Sequence, residues 1–222
     1  MDSGAVTVAR TGTVRGELVL RESGGHYEVI SNGVFLMDTR AGESERLLVR
    51  AALDAVPPGS RLLIGGLGVG FSLAEAAASP RPAEIVVIEI EPALVGWHRG
   101  PLGRFSAGAL DDPRVRVVTA DIVTWLAGTD ERFDAICLDV DNGPDWTVFD
   151  TNAQLYGGDG LALLRARLTP GGVLAVWSAS ASPAYAARLA DAVGPVETLA
   201  VEVARGEPDV VYLARQKAGD RV

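Results

Sequence analysis

From Arg61 onward the sequence alternates short apolar segments with helix-forming segments, and this alternation leaves few folds open to the chain. Strands that are apolar along their whole length belong to sheets that helices cover on both faces. The last two strand-like segments are joined by "ARGEP", which is too short for a crossover and so predicts an antiparallel pair. We therefore expect an α/β domain with a mostly parallel seven-stranded sheet and helices on both faces. Its predicted strands are "RLLIGG", "EIVVIEIE", "VRVVTAD", "FDAICLDVD", "VLAVWSAS", "VETLAVEV" and "DVVYLARQ".

The beginning of the chain follows a different pattern, that of paired β-strands. "GELVLRES" and "YEVISNGVFLMD" have the composition of hairpin strands, and Asn32-Gly33 marks a tight turn between two of them. Apolar residues at helical spacing begin soon afterwards. We therefore divide the chain into an N-terminal β-hairpin region, 1–42, and the α/β domain, 43–222.

Composition excludes several classes of function. The formal net charge of −9 argues against a nucleic-acid partner, because an acidic surface repels phosphates. No stretch approaches the ~20 apolar residues of a membrane span, and no signal-peptide pattern is present, so we expect a cytoplasmic protein without membrane contact. The single cysteine, Cys137, cannot form a disulfide within the chain and is predicted to lie in the core. His26 and His98 lack acidic partners at metal-ligand spacing, so we expect surface histidines and no metal site.

A glycine-rich loop follows the first predicted strand of the domain and precedes a helix. Gly66, Gly68 and Gly70 form the pattern G-x-G-x-G. Ligands of parallel sheets bind beyond the carboxyl ends of the strands, so we expect these glycines to let a ligand approach the backbone. The third glycine of the dinucleotide fingerprint is replaced by Phe71, which disfavours a nicotinamide or flavin cofactor. The alternative is a tight strand-to-helix turn that binds nothing.

Acidic residues end the next three predicted strands. Glu89 ends the second strand and is placed to accept hydrogen bonds from ribose hydroxyls, with Glu91 as a rival two residues on. Asp121 ends the third strand, where it can cap a helix, bind an adenine amino group, or do both. Asp139 ends the fourth strand and forms an acidic cluster with Asp141 and Asp145, although turn formation is an alternative role for part of that cluster.

Together these segments resemble the S-adenosylmethionine-dependent methyltransferase fold, and within it the spermidine synthase family. The resemblance implies a Rossmann-like sheet that binds S-adenosylmethionine or its decarboxylated form, and a homodimer. It implies that Glu89 holds the ribose, Asp121 the adenine, and that Asp139 faces the transferred group, with Asp141 as a weaker candidate. The segments that carry it are "GELVLRESGGHYEVISNGVFLMD", "LLIGGLGVG", "VIEIEP", "DPRVRVVTADIVTWL", "FDAICLDVDNGP" and "LTPGGVLAVWS".

Three departures from the family pattern affect the reaction more than the fold. Gly68 stands where the family has an aspartate near the amine end of its donor, which favours the carboxylated donor. The motif that begins at Asp139 reaches Gly-Pro two residues early. Only Glu45 matches the family's Y-H-E segment.

We therefore expect methyl transfer from S-adenosylmethionine to a small-molecule acceptor such as an amine. Asp139 would orient or deprotonate the acceptor. One alternative is aminopropyl transfer from decarboxylated S-adenosylmethionine to a polyamine, and another is a nucleoside-binding protein without catalysis. Trp146, Phe149 and Tyr156 are predicted either to form aromatic walls around the acceptor or to pack the connection after Asp139 onto the domain.

Overall fold

Two β-sheets organise the chain in the computed structural model, which describes residues 4–147, 152–204 and 206–217. The strands are β1 (Val6–Thr13), β2 (Gly16–Ser23), β3 (His26–Ser31), β4 (Val34–Asp38), β5 (Ser60–Gly65), β6 (Pro82–Glu89), β7 (Val115–Thr119), β8 (Phe133–Leu138), β9 (Leu168–Ser178), β10 (Val196–Val201) and β11 (Asp209–Arg215). The helices are α1 (Glu43–Asp54), α2 (Phe71–Ala78), α3 (Pro92–His98), α4 (Ile122–Gly128), α5 (Ala153–Tyr156), α6 (Gly158–Ala166) and α7 (Pro183–Ala192), with a 3-10 turn at Ala109–Asp111.

The larger sheet has seven strands in the order β10-β11-β9-β8-β5-β6-β7. Strands β5 to β9 run parallel to their neighbours among themselves, whereas β11 is antiparallel to both β9 and β10. The predicted α/β class, the seven strands and the antiparallel final pair are therefore confirmed.

Alternating side chains of the central strands build a core on each face of this sheet. On β5, Leu62 and Ile64 pack with α1 and α2, while Leu63 packs on the opposite face with α4, α6 and α7. All three are fully buried, which explains why the central strands are apolar at every position. Cys137 of β8 is also fully buried, as expected for a core residue.

The smaller sheet is antiparallel, in the order β1-β2-β3-β4, and packs beside the carboxyl end of the larger one. Its buried residues Leu18, Leu20 and Val29 contact Leu94 and Trp97 of α3, together with the segment that follows β5. This contact brings the β1–β2 turn and β4 to the end of the sheet where ligands bind in such folds.

Three local predictions need correction. Strand β9 begins at Leu168 rather than at Val173, the first residue of the predicted strand, because a register shift opposite Phe133 and Ala135 accommodates the extra residues. Strand β8 ends before the predicted acidic residues, so those residues lie in a loop. His98 is buried, not exposed, since its ring packs between Gly70 and Ser106.

Among the described helices, none is long and apolar enough to cross a membrane.

We expect Leu20→Ala to lower the free energy of unfolding by about 2–5 kcal/mol, because Leu20 is fully buried between the small sheet and α3. Urea unfolding followed by circular dichroism measures the change. Val14→Ala is the control, since Val14 is fully exposed and its loss should change stability by less than about 0.5 kcal/mol. Equal stability of the two variants would show that the small sheet does not pack as described.

Candidate active site

One pocket lies at the carboxyl ends of β5, β6, β7 and β8, beside the β1–β2 turn and β4 of the smaller sheet. It brings together six of the seven predicted site residues; Gly70 alone does not line it. The lining residues are Arg15, Leu36, Met37, Glu45, Gly66, Gly68, Val69, Phe71, Ile88, Glu89, Ile90, Glu91, Leu94, Ala120, Asp121, Ile122, Asp139, Val140, Asp141, Asn142, Asn152 and Trp177.

The glycines of the loop meet different constraints. A Cβ on Gly66 would lie 2.1 Å from the carbonyl oxygen of Asp139, so the protein's own backbone excludes a side chain there. A Cβ on Gly70 would lie 2.6 Å from Cε1 of His98. Gly68 differs, because the nearest atom to its Cβ position is Sδ of Met37 at 3.5 Å, and its φ of +51° favours glycine. Of the three, only Gly68 has room for a Cβ, although both Gly66 and Gly68 line the pocket.

Glu89 shapes the glycine loop as well as lining the pocket. Its carboxylate accepts hydrogen bonds from the backbone N–H of Leu67 at 2.9 Å and of Glu91 at 2.8 Å. Burial raises the pKa of Glu89, and these backbone hydrogen bonds oppose that rise. Part of its hydrogen-bonding capacity is thus already used by the protein.

Glu91, the rival of Glu89, offers a more available acceptor. It is buried, and its Oε1 lies 3.4 Å from the Thr13 hydroxyl of the small sheet. Its Oε2 is buried without a hydrogen-bond partner among the described residues. A buried acceptor without a partner costs about 1–3 kcal/mol, so this oxygen is suited to accept a hydroxyl of a bound ligand.

Asp121 is the N-cap of α4. Its carboxylate accepts a hydrogen bond from the backbone N–H of Thr124 at 2.8 Å, the geometry expected of a helix cap. The residue also lines the pocket, so the two predicted roles are compatible. Contact with an adenine stays a prediction.

Asp139 and Asp141 lie in the loop after β8, where both line the pocket. The Ser72 hydroxyl at the start of α2 donates a hydrogen bond of 2.7 Å to Asp139. Asp141 has a φ of +55°, which aspartate tolerates better than most residues, and its carboxylate accepts a 2.8 Å hydrogen bond from the Asn152 amide. Asp139 therefore faces the pocket with one neutral partner, while Asp141 also anchors its loop.

Glu45, which α1 contributes from its first turn, is the second acid beside Asp139. Burial and the negative charge of Asp139 raise the pKa of Glu45 to about 7. Burial likewise raises the pKa of Asp139 to about 6, and the Ser72 hydrogen bond opposes that rise. Two neighbouring buried carboxyls are not both ionised readily near neutral pH, because their negative charges repel each other. A cationic ligand between them would stabilise the ionised pair.

The pocket as a whole is acidic. Among its described lining residues, one side chain, Arg15, is a cation, and six carry carboxyl groups: Glu45, Glu89, Glu91, Asp121, Asp139 and Asp141. Such a lining favours cationic ligands and disfavours anionic ones.

Sequence reasoning missed part of this lining. Arg15 lies just outside the segments that carry the family resemblance. Met37 and Trp177 lie within such segments, but nothing in those segments marks the two side chains as pocket residues. Of the aromatic residues expected after Asp139, Trp146 is largely exposed, and Tyr156 is buried with its hydroxyl donating to the Val140 carbonyl. Phe149 lies outside the described residues.

We expect the stability of Glu45→Gln relative to the native chain to rise with pH. The folded pKa of Glu45 exceeds its ordinary value near 4.5, so the folded state binds more protons and ionisation above that value destabilises it. Glutamine cannot ionise, so the variant avoids this destabilisation. The free energy of unfolding of Glu45→Gln minus that of the native chain should therefore increase between about pH 4.5 and 7. Urea unfolding of both proteins across this range measures it, and parallel curves would contradict the raised pKa.

Comparison with known proteins places this site in a family context. Residues 43–190 match the family model described as the spermine/spermidine synthase domain. Polyamine aminopropyltransferase 1 of Streptomyces coelicolor is 36% identical over 135 residues, which cover 60% of this chain and 24% of that protein. The polyamine aminopropyltransferase of Mycobacterium tuberculosis is 32% identical over 169 residues, covering 74% of this chain and 31% of that protein. The chain thus spans about a quarter to a third of the length of these curated relatives.

Solved structures share the fold. The spermidine synthase from Thermotoga maritima has a TM-score of 0.77 and 15% identity, covering 95% of this chain and 73% of that one. A spermidine synthase in complex with the transition state analogue AdoDATO has a TM-score of 0.76 and 16% identity, covering 95% and 72%. The family model spans well over half of the chain and includes the glycine loop and the acidic strand ends. The chain belongs to the spermine/spermidine synthase family.

Proposed function

We propose that the protein transfers an aminopropyl group from decarboxylated S-adenosylmethionine to a small amine. The observation that carries this proposal is the pair of desolvated carboxyls, Glu45 and Asp139, in a pocket with six acidic side chains and one cation. The decarboxylated donor carries an ammonium on its tail as well as its sulfonium. The acceptor amine is also a cation at neutral pH, so both substrates match the charge of the pocket.

In this proposal each part of the donor, namely its ribose, its adenine and its sulfonium tail, contacts a different set of pocket residues. Gly68 leaves room for the donor beside the loop, and Glu89 or Glu91 accepts the ribose hydroxyls. Asp121 is placed to accept from the adenine amino group while it caps α4. The sulfonium and its tail then point toward Asp139, which brings the electrophilic carbon beside the carboxyl pair.

The reaction needs positioning and one proton acceptor. The acceptor amine enters as an ammonium and gives one proton to the Glu45–Asp139 pair. Its nitrogen then attacks the carbon next to sulfur: a C–N bond forms, the C–S bond breaks, and methylthioadenosine leaves as a neutral thioether. Raised pKa values near neutrality suit carboxyls to act as general bases for this step.

Methyl transfer from S-adenosylmethionine is the second candidate, and Gly68 favours it. The family's aspartate is missing at this position, and the Cβ direction there meets only Met37 within 4 Å. The acidic lining argues against it, because the carboxylated donor would place an additional negative charge among the six carboxyls. The names of the relatives also support aminopropyl transfer over methyl transfer. A homodimer stays a prediction.

Donor binding is the first test of this function. We expect isothermal titration calorimetry to show that decarboxylated S-adenosylmethionine binds about tenfold or more tightly than the carboxylated form, since tenfold needs only about 1.4 kcal/mol of charge preference. Methylthioadenosine, which lacks the tail, is the reference ligand. Tighter binding of the carboxylated donor would instead support methyl transfer. If none of the three ligands bound, the nucleoside-binding assignment itself would fail.

We expect Asp139→Asn to lower the rate of aminopropyl transfer about 100-fold or more, because the substitution removes a proton acceptor and little volume. Methylthioadenosine formation with a panel of mono-, di- and triamines measures the rate. Asp141→Asn is the matched control. It should lower the rate much less, because the Asp141 carboxylate is engaged by the Asn152 amide and holds the loop. Similar losses in the two variants would contradict the assignment of Asp139.

A further inference from the structure

A buried serine joins the acid pair of the pocket to the protein surface. The hydroxyl oxygen of Ser44 lies 3.0 Å from Oε2 of Glu45 and 2.7 Å from Oδ2 of Asp209. A serine hydroxyl has one proton to donate and two lone pairs to accept with. It can therefore be hydrogen-bonded to both carboxyls at once only when one of them carries a proton.

The three residues come from elements that meet at the edge of the pocket. Ser44 and Glu45 lie in the first turn of α1, and Asp209 is the first residue of β11. Ser44 is buried, Glu45 lines the pocket, and Asp209 is half-buried with access to solvent. Ser44 is thus the single hydroxyl among the described hydrogen bonds that connects a pocket carboxyl to this surface carboxyl.

We propose that Ser44 and Asp209 are positioning residues through which the proton released by the amine substrate leaves Glu45 for solvent. This route from Glu45 through Ser44 to Asp209 is called the relay below. The proposal rests on the aminopropyl transfer proposed above. Protonated Glu45 donates to Ser44 Oγ, and the Ser44 proton moves to Asp209. Asp209 then releases a proton to solvent, and Ser44 and Glu45 return to their starting states. One proton leaves the amine and one reaches solvent, so the balance closes without a further reactant.

The effect of Ser44 and Asp209 on Glu45 can be measured through the pKa of Glu45. Asp139 faces it from the loop after β8, Asp209 faces it from β11, and Ser72 of α2 lies against its carbonyl oxygen at 3.4 Å. The Asp209 charge raises the pKa of Glu45, and the Ser44 hydrogen bond lowers it, as does the residue's own backbone N–H. Removing Ser44 and removing the Asp209 charge should therefore shift this pKa in opposite directions.

Carboxyl-carbon NMR titration of Glu45 in the ligand-free protein tests this coupling. We expect Ser44→Ala to raise the Glu45 pKa and Asp209→Asn to lower it. Glu43→Gln is the matched control, because it removes an exposed carboxylate of the same helical turn and should leave the Glu45 pKa unchanged. An unchanged pKa in both Ser44→Ala and Asp209→Asn would overturn the relay, because the contact would then have no influence on the protonation of Glu45.

Measurements of kcat and KM test whether proton release through Ser44 affects the rate of the reaction. With decarboxylated S-adenosylmethionine and an amine, we expect Ser44→Ala to lower kcat at pH 7 about tenfold with the donor KM unchanged, because a blocked exit slows proton release and not binding. Ser44→Thr keeps the hydroxyl and should restore kcat. Opposite pKa shifts with an unchanged kcat would overturn the relay. If the native chain transferred no aminopropyl group, the proposed function would fail while the titration still reported on the hydrogen-bonded chain.

Discussion

The carboxyl ends of β5 and β8 come so close together that no side chain fits between them. The Cβ position of Gly66 lies 2.1 Å from the Asp139 carbonyl oxygen, and the backbone N–H of Asp139 donates to Gly65. This contact places the glycine loop directly against the acid that follows β8. The pocket and the Glu45–Asp139 pair depend on this contact, because Gly66 and Asp139 both line the pocket beside it.

The sequence was most informative where one physical signal acted alone. The predicted capping role of Asp121 is confirmed, since its side chain caps the start of helix α4. The central strands were equally clear, because residues buried on both faces leave an unbroken apolar run. The predicted start of β9 is wrong because the glycines after Pro170 are typical of a turn, whereas pairing with β8 includes them in the strand. Pairing between strands is a tertiary effect that local composition does not contain.

The site was predictable to the extent that topology alone brings strand ends together. Glu89, Asp121 and Asp139 follow neighbouring parallel strands, so their convergence could be expected. The electrostatic character of the pocket could not, because Glu45 comes from a helix distant in sequence and its pKa depends on burial and on Asp139. Gly68 considered alone favoured methyl transfer. The assembled pocket is acidic and favours cationic ligands, and a comparison of motifs does not include that combined charge.

The position of β11 within the sheet has a consequence for how the protein is made. β11 lies between β9 and β10, although both of those strands are synthesised before it. Until residues 209–215 leave the ribosome, β9 therefore presents one unpaired edge and β10 has no neighbour in the sheet. Exposed edges of this kind pair readily with other chains. Pairing of β11 with both neighbours therefore covers this edge of β9 and joins β10 to the sheet in one step.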